Sequence, residues 1–167
     1  MGRTRCYKLS DGTYPDEAAS VPTDTDPLWD NAACDRTADG YRLPTENEWE
    51  YAAKGGNKSQ GYEYAGSDDI DEVGWYYVNS GFTTHDVGMK QPNELGIYDM
   101  SGNVCEWCDT PFRPYNPDIP TPDPNAMVVR GGYYGSEPYE LTVYHRDPMN
   151  RNTPAANIGL RLAIRKD

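Results

Sequence analysis

The chain has 167 residues, enough for one domain with a real core. Its 27 acidic residues against 15 basic ones give a net charge of −12, which repels phosphate backbones and argues against nucleic acid as a partner. It has no apolar run of membrane-spanning length and no signal-peptide pattern at Met1.

Residues 1–39 read as an irregular N-terminal part: polar and turn-rich, without a helix, with a short strand at Cys6–Leu9 and Trp29 covering the core. Asp24, Asp26 and Asp30 read as Asx-turn residues before they read as a calcium cluster. Cys6 and Cys34 suit a disulfide in an oxidising compartment, but their positions leave the pairing open.

Thr45–Lys54 is the strongest helix. Thr45 and Glu48 make a capping box, Trp49, Ala52 and Ala53 give one apolar face, and Gly55-Gly56 closes it. Trp49 is expected to pack on a sheet. Glu46, Glu48 and Glu50 read as structural rather than catalytic, two of them favouring the helix dipole. Residues 57–92 then read as a long loop, tethered by Trp75, Tyr76, Tyr77 and Val87, with His85 a structural hydrogen-bonding residue.

The organising stretch is Asn93–Asp109, NELGIYDMSGNVCEWCD: a shaped loop entering a core strand. Cys105 and Cys108 form a C-x-x-C without the second pair or the histidines that a zinc site requires. On a strand they point to opposite faces, so they read as two packed thiols. Six prolines between Pro111 and Pro124 mark a surface excursion. Met127–Arg130, Glu140–Tyr144 and Asn157–Ile164 then read as strands, with Leu141 and Val143 inward in the second and Ile158, Leu160, Leu162 and Ile164 on the buried face of the third.

Three stretches in order, GYRLPTENEWEYAAKGG, GIYDMSGNVCEWCD and VVRGGY…NIGLRLA, resemble the formylglycine-generating-enzyme-type domain, with Cys105 where that family has Trp. The resemblance implies an α+β, loop-rich, C-type lectin-like fold with a small, mostly antiparallel sheet, and one domain over residues 1–167. It also implies calcium at the Asp99–Glu106 loop, held by the Asp99 and Glu106 side chains and the Gly102 and Val104 carbonyls. Hard oxygen donors on a turn suit that ion; the alternative is that Asp99 closes an Asx turn and Glu106 pairs with an arginine.

In the family, an oxidase uses copper held by two thiolates, as soft Cu(I) requires. Carried over by motif, those positions are Ser136 and Leu141, so neither copper nor oxidase activity is expected. Ser136, His145 and Asp147 can be written as a hydrolytic triad, but no nucleophile elbow accompanies them.

Residues 130–163 instead resemble the variable region of diversity-generating retroelement proteins built on this scaffold, with the N-terminal segments closest to spirochaete members. The implied function is a non-enzymatic protein that binds a macromolecule, a protein, through Tyr134, Ser136, Glu137, Tyr139, Glu140, Tyr144, His145 and Asp147, outside the cell or on its surface. The 14 tyrosines, against 2 phenylalanines, fit either core edges or such a contact face. Glu137 and Glu140 do not arise from adenine changes in Asn codons and so depart from a simple template. The alternatives are a non-catalytic relative of fixed specificity and, against the missing thiolates, a residual oxidase.

Overall fold

The computed structural model describes residues 3–15, 26–120 and 123–165; Asp24 lies outside them. The chain divides into two compact units, one from residues 1–43 and 162–167, the other from 44–161.

In the first unit Tyr7–Lys8 pairs antiparallel with Ala33–Cys34, and Tyr41–Arg42 with Ala163–Ile164. Cys6 and Leu9 are buried, while Trp29 is half-buried. Cys6 and Cys34 are thiols. The expectation of no helix here is corrected by one turn at Pro27–Asp30. Proline at its first position supplies the helical φ, and Asn31 Nδ2 donates back to the Pro27 carbonyl at 2.9 Å.

The second unit holds a four-stranded sheet in the order Arg146–Asn150, Ala126–Arg130, Cys105–Pro111, Ile158–Gly159; the first three are antiparallel and the last is parallel. The helix Glu46–Ala53 lies on it. Thr45 caps it as expected, in a complete capping box with Glu48, and Gly55 takes the left-handed turn at φ +83° that ends it. Trp49 is 1% exposed and sits with Ala53, Met100, Cys108, Val128 and Val143 in the main core cluster. The helix start is fastened to the central strand: Asp109 N–H donates to the Pro44 carbonyl at 2.8 Å, and Glu46 N–H to Thr110 Oγ1 at 3.0 Å.

Glu46 and Glu50 are structural through ion pairs. Arg146 grips Glu46 with two bonds of 2.6 and 2.7 Å, its guanidinium lying 4.7 Å from both the Phe112 and Tyr115 rings. Arg130, 1% exposed, donates to Glu50 Oε2 at 2.6 Å and crosses the Trp49 ring.

The long loop expected over residues 57–92 is corrected in part: it holds most of a 3-10 turn at Gly56–Lys58, a one-turn helix at Ile70–Val73 and a short strand at Gly74–Trp75, while residues 76–100 contain no helix or strand. Trp75 stacks on His85 at 3.8 Å, Tyr76 is buried, and His85 Nε2 bonds the Ser80 carbonyl at 2.8 Å. Val87, expected as a tether, is 82% exposed instead: its neighbour Gly88 makes the attachment, through the backbone, to Asp99 Oδ2 at 2.7 Å.

The last strand corrects the sequence reading most. Leu160 is 61% and Leu162 58% exposed, and the chain turns Arg161 inward between them. The strand expected over Asn157–Ile164 is two short ones, Ile158–Gly159 and Ala163–Ile164, and in the irregular stretch between them the ion pair with Glu106 draws Arg161 in. Among the described residues no helix is long and apolar enough to cross a membrane.

Candidate functional site

Between Tyr133 and Tyr144 the backbone is pinned by residues distant in sequence. Tyr134 N–H donates to the Asn103 carbonyl at 3.0 Å, and the Tyr134 carbonyl accepts from Ser80 Oγ at 2.6 Å. Tyr77 N–H reaches the Ser136 carbonyl at 3.2 Å, Ser101 Oγ the Leu141 carbonyl at 2.9 Å, and Val143 N–H the Glu63 carbonyl at 2.9 Å. Arg130 donates to the carbonyls of Val143 and Tyr144 at 2.9 and 3.0 Å. Leu141 and Val143 point inward as expected, both 0% exposed.

The expected strand at Glu140–Tyr144 is instead a 3-10 turn over Pro138–Leu141. Glu137 is its N-cap, Pro138 comes next, and Glu140 Oε2 accepts from Glu137 N–H at 2.7 Å. That pattern, an acidic cap followed by proline and an acidic third residue, was the sequence signal for a turn.

From this frame Tyr139 (64% exposed), Tyr144 (55%) and Glu137 project, and Tyr134, Glu140, His145 and Asp147 are half-buried. Ser136 does not belong with them. It is 2% exposed, and its Oγ accepts from Tyr133 N–H at 3.2 Å, closing the turn from within. His145 Nε2 lies 2.8 Å from Asp147 Oδ2, a bond that raises the imidazole pKa despite partial burial. The edge of Tyr139 meets the His145 ring at 5.7 Å.

The second candidate is the loop that enters the central strand. Asp99 and Asn103 have φ of +58° and +64°, and Gly102 +84°. At Gly102 a Cβ would lie 2.2 Å from the Trp75 carbonyl oxygen, so no larger residue fits. Asn93, buried and overlooked in the sequence, organises the entry: its Oδ1 accepts from Leu95 and Ile97 N–H, and its Nδ2 donates to the Ala52 carbonyl at 2.7 Å.

A cavity of about 510 Å³ opens here, lined by Asp99, Asn103, Val104, Glu106 and Arg161 among others. Glu106 is 6% exposed. Trp49 Nε1 donates to its Oε2 at 2.7 Å, Arg161 Nη2 to its Oε1 at 2.7 Å, and Arg161 Nε again to Oε2. Arg161 also meets the Asp99 carbonyl at 3.1 Å.

As a calcium set the four residues fit poorly. Glu106 already holds a cation, and Gly102 does not line the cavity. The Gly102 carbonyl accepts from Val104 N–H at 2.9 Å. Asp99 Oδ1 is buried and has no hydrogen-bond partner. Asp99 Oδ2 bonds across the loop to Gly88 rather than closing an Asx turn.

At the positions where the resemblance calls for thiolates, Ser136 is enclosed and Leu141 is a plug. A Cβ on Gly102 or Gly132 would stand 2.8 Å from a Leu141 methyl, so the glycines make room for this side chain. Cys105 and Cys108 are buried thiols in the central strand, as expected; burial pushes both up to about 12.

The chain matches the family described as "Sulfatase-modifying factor enzyme 1-like domain" over residues 6–166. It is 38% identical to the chaperone protein LppX of Paenibacillus barcinonensis, over 77% of this chain and 51% of that protein. It is 35% identical to the formylglycine-generating enzyme of Streptomyces coelicolor, over 81% of this chain and 50% of the enzyme. The chain thus spans about half the length of these curated relatives. Among solved structures it resembles Treponema denticola variable protein 1, with a TM-score of 0.83 and 33% identity over 98% of this chain and 63% of that one. It also resembles CarF, with a TM-score of 0.75 and 32% identity over 99% and 59%. The fold is accordingly the α+β, C-type lectin-like fold of the formylglycine-generating-enzyme type, and the chain belongs to the sulfatase-modifying factor enzyme 1-like family.

Proposed function

We propose that this chain is a non-enzymatic binding protein that presents a diversified face, residues 133–152, to a protein ligand outside the cell or at its surface. It would work in the manner of diversity-generating retroelement variable proteins. One observation carries the reading: the backbone of this segment is held by the scaffold while Glu137, Tyr139 and Tyr144 project from it. Exposed side chains on a backbone that other residues hold can be exchanged at modest cost to the fold, and tyrosine gives rigid contact area with few rotamers to fix. Glu137, Glu140 and Asp147 would select a basic partner. Supporting the absence of oxidase chemistry, Ser136 and Leu141 stand at the positions where the family has its two thiolates.

The genomic locus tests the diversification. An imperfect second copy of the codons for residues 130–163, differing mainly at adenines and beside a reverse-transcriptase gene, is expected. A solitary gene would leave the fixed-specificity relative as the reading. The absence of enzymatic activity is tested by Cu(I) titration and oxygen uptake with a cysteine peptide; stoichiometric copper binding with uptake would overturn it.

A further inference from the structure

Glu140, His145 and Asp147 come from three different local structures: the 3-10 turn, the bend after it, and the start of the edge strand. Each offers one ligand atom, and the three atoms all lie within 4.8 Å of one another. His145 Nε2 and Asp147 Oδ2 are 2.8 Å apart.

We infer that these three residues form a site for a divalent transition metal of the zinc class, open to solvent on one side. The donor set is one imidazole and two carboxylates, which suits zinc and disfavours Cu(I). Bonds of about 2.0–2.1 Å in a tetrahedral shell place ligand atoms about 3.3 Å apart. The present separations need only small side-chain adjustments to reach that. Three protein ligands leave a fourth position, and it faces water: the Asp147 side chain is 46% exposed and that of His145 24%.

Two further features favour a cation here. Neither carboxylate is paired with Lys or Arg among the described residues, because the nearby arginines are committed elsewhere, Arg130 to Glu50 and Arg146 to Glu46. The ligands are also braced from behind. Glu137 N–H orients Glu140 through its Oε2, and the Tyr139 edge packs against the His145 ring.

The site lies within the face proposed for ligand binding, and its open position would accept a carboxylate or imidazole from a bound protein. Metal binding needs no partner, so it stands or falls apart from that reading.

The test is calorimetric titration of the full chain with Zn²⁺ in metal-free buffer, repeated for His145→Gln and Asp147→Asn, with melting temperatures taken without metal. Co²⁺ in place of zinc gives a visible spectrum that reports the coordination. One ion per chain is expected, weakened at least about tenfold in each variant, with both variants melting near the parent. Absence of saturable binding overturns the site. So does binding that both folded variants retain, which would place the metal elsewhere.

Discussion

Glu106 shows how one buried charge organises its surroundings. Its two oxygens receive the indole N–H of Trp49 from the helix and the guanidinium of Arg161 from the terminal segment. Removing its charge leaves Arg161 half-paired in a cavity wall. Glu106→Gln should therefore cost about 3 kcal/mol, the low end for breaking a buried pair because Arg161 keeps some exposure. Trp49→Ala loses both this bond and the largest core side chain and should cost about 3–5 kcal/mol. Chemical denaturation measures both. Because Arg161 already neutralises Glu106, excess calcium added to the metal-free protein should leave the melting temperature unchanged; a rise would mean that the ion displaces or joins the arginine. Cys105 and Cys108, raised by burial to about 12, stay protonated at pH 8. Iodoacetamide should leave both unlabelled in the native protein and label both in denaturant.

At the scale of elements, the helix carries a pH dependence. Burial opposes the charge on Glu50, yet the hydrogen bond from Lys54 and the pairing with Arg130 outweigh it, and the pKa falls below the usual value. A lowered carboxylate pKa contributes its full stability above the unfolded pKa of 4.5 and loses it as pH falls through the folded value. The contribution is modest because Glu50 is partly solvated. Glu50→Gln should narrow the stability difference between pH 7 and pH 3, as melting curves at the two values would show.

This helix was fully legible in the sequence because its signals are local: Thr45, Glu48, Trp49 and Gly55 fall within eleven residues. The terminal strand was not. Leu160 and Leu162 alternate as a core face should, but the partner that drew Arg161 inward lies 55 residues away, and alternation alone does not say which face is buried. The same limit hid Ser136. Its burial depends on the pinning of its neighbours by Tyr77, Ser80 and Asn103, none of them near in sequence. The inward Leu141 and Val143 were readable from their apolar character, even though the strand assigned to them is a 3-10 turn.

At the scale of the whole molecule, enclosed frame residues carry an exposed face. Frame residues such as Leu141 are enclosed, and Leu141→Ala should cost about 2–5 kcal/mol. Exposed positions such as Tyr139 and Tyr144 should each change stability by within about 0.5 kcal/mol. With a net charge of −12, any protein bound by the acidic face should associate more slowly as salt rises.

The most direct measurement is a displayed library of this chain randomised at Glu137, Tyr139, Tyr144 and Asp147. It would be selected against a basic protein such as lysozyme, and the recovered clones scored for affinity and melting temperature. Saturable binders that differ only at these four positions and melt within a few degrees of the parent are expected. If the randomised chains largely unfold, or if binding to lysozyme persists unchanged when all four positions are alanine, the face is not where the protein binds.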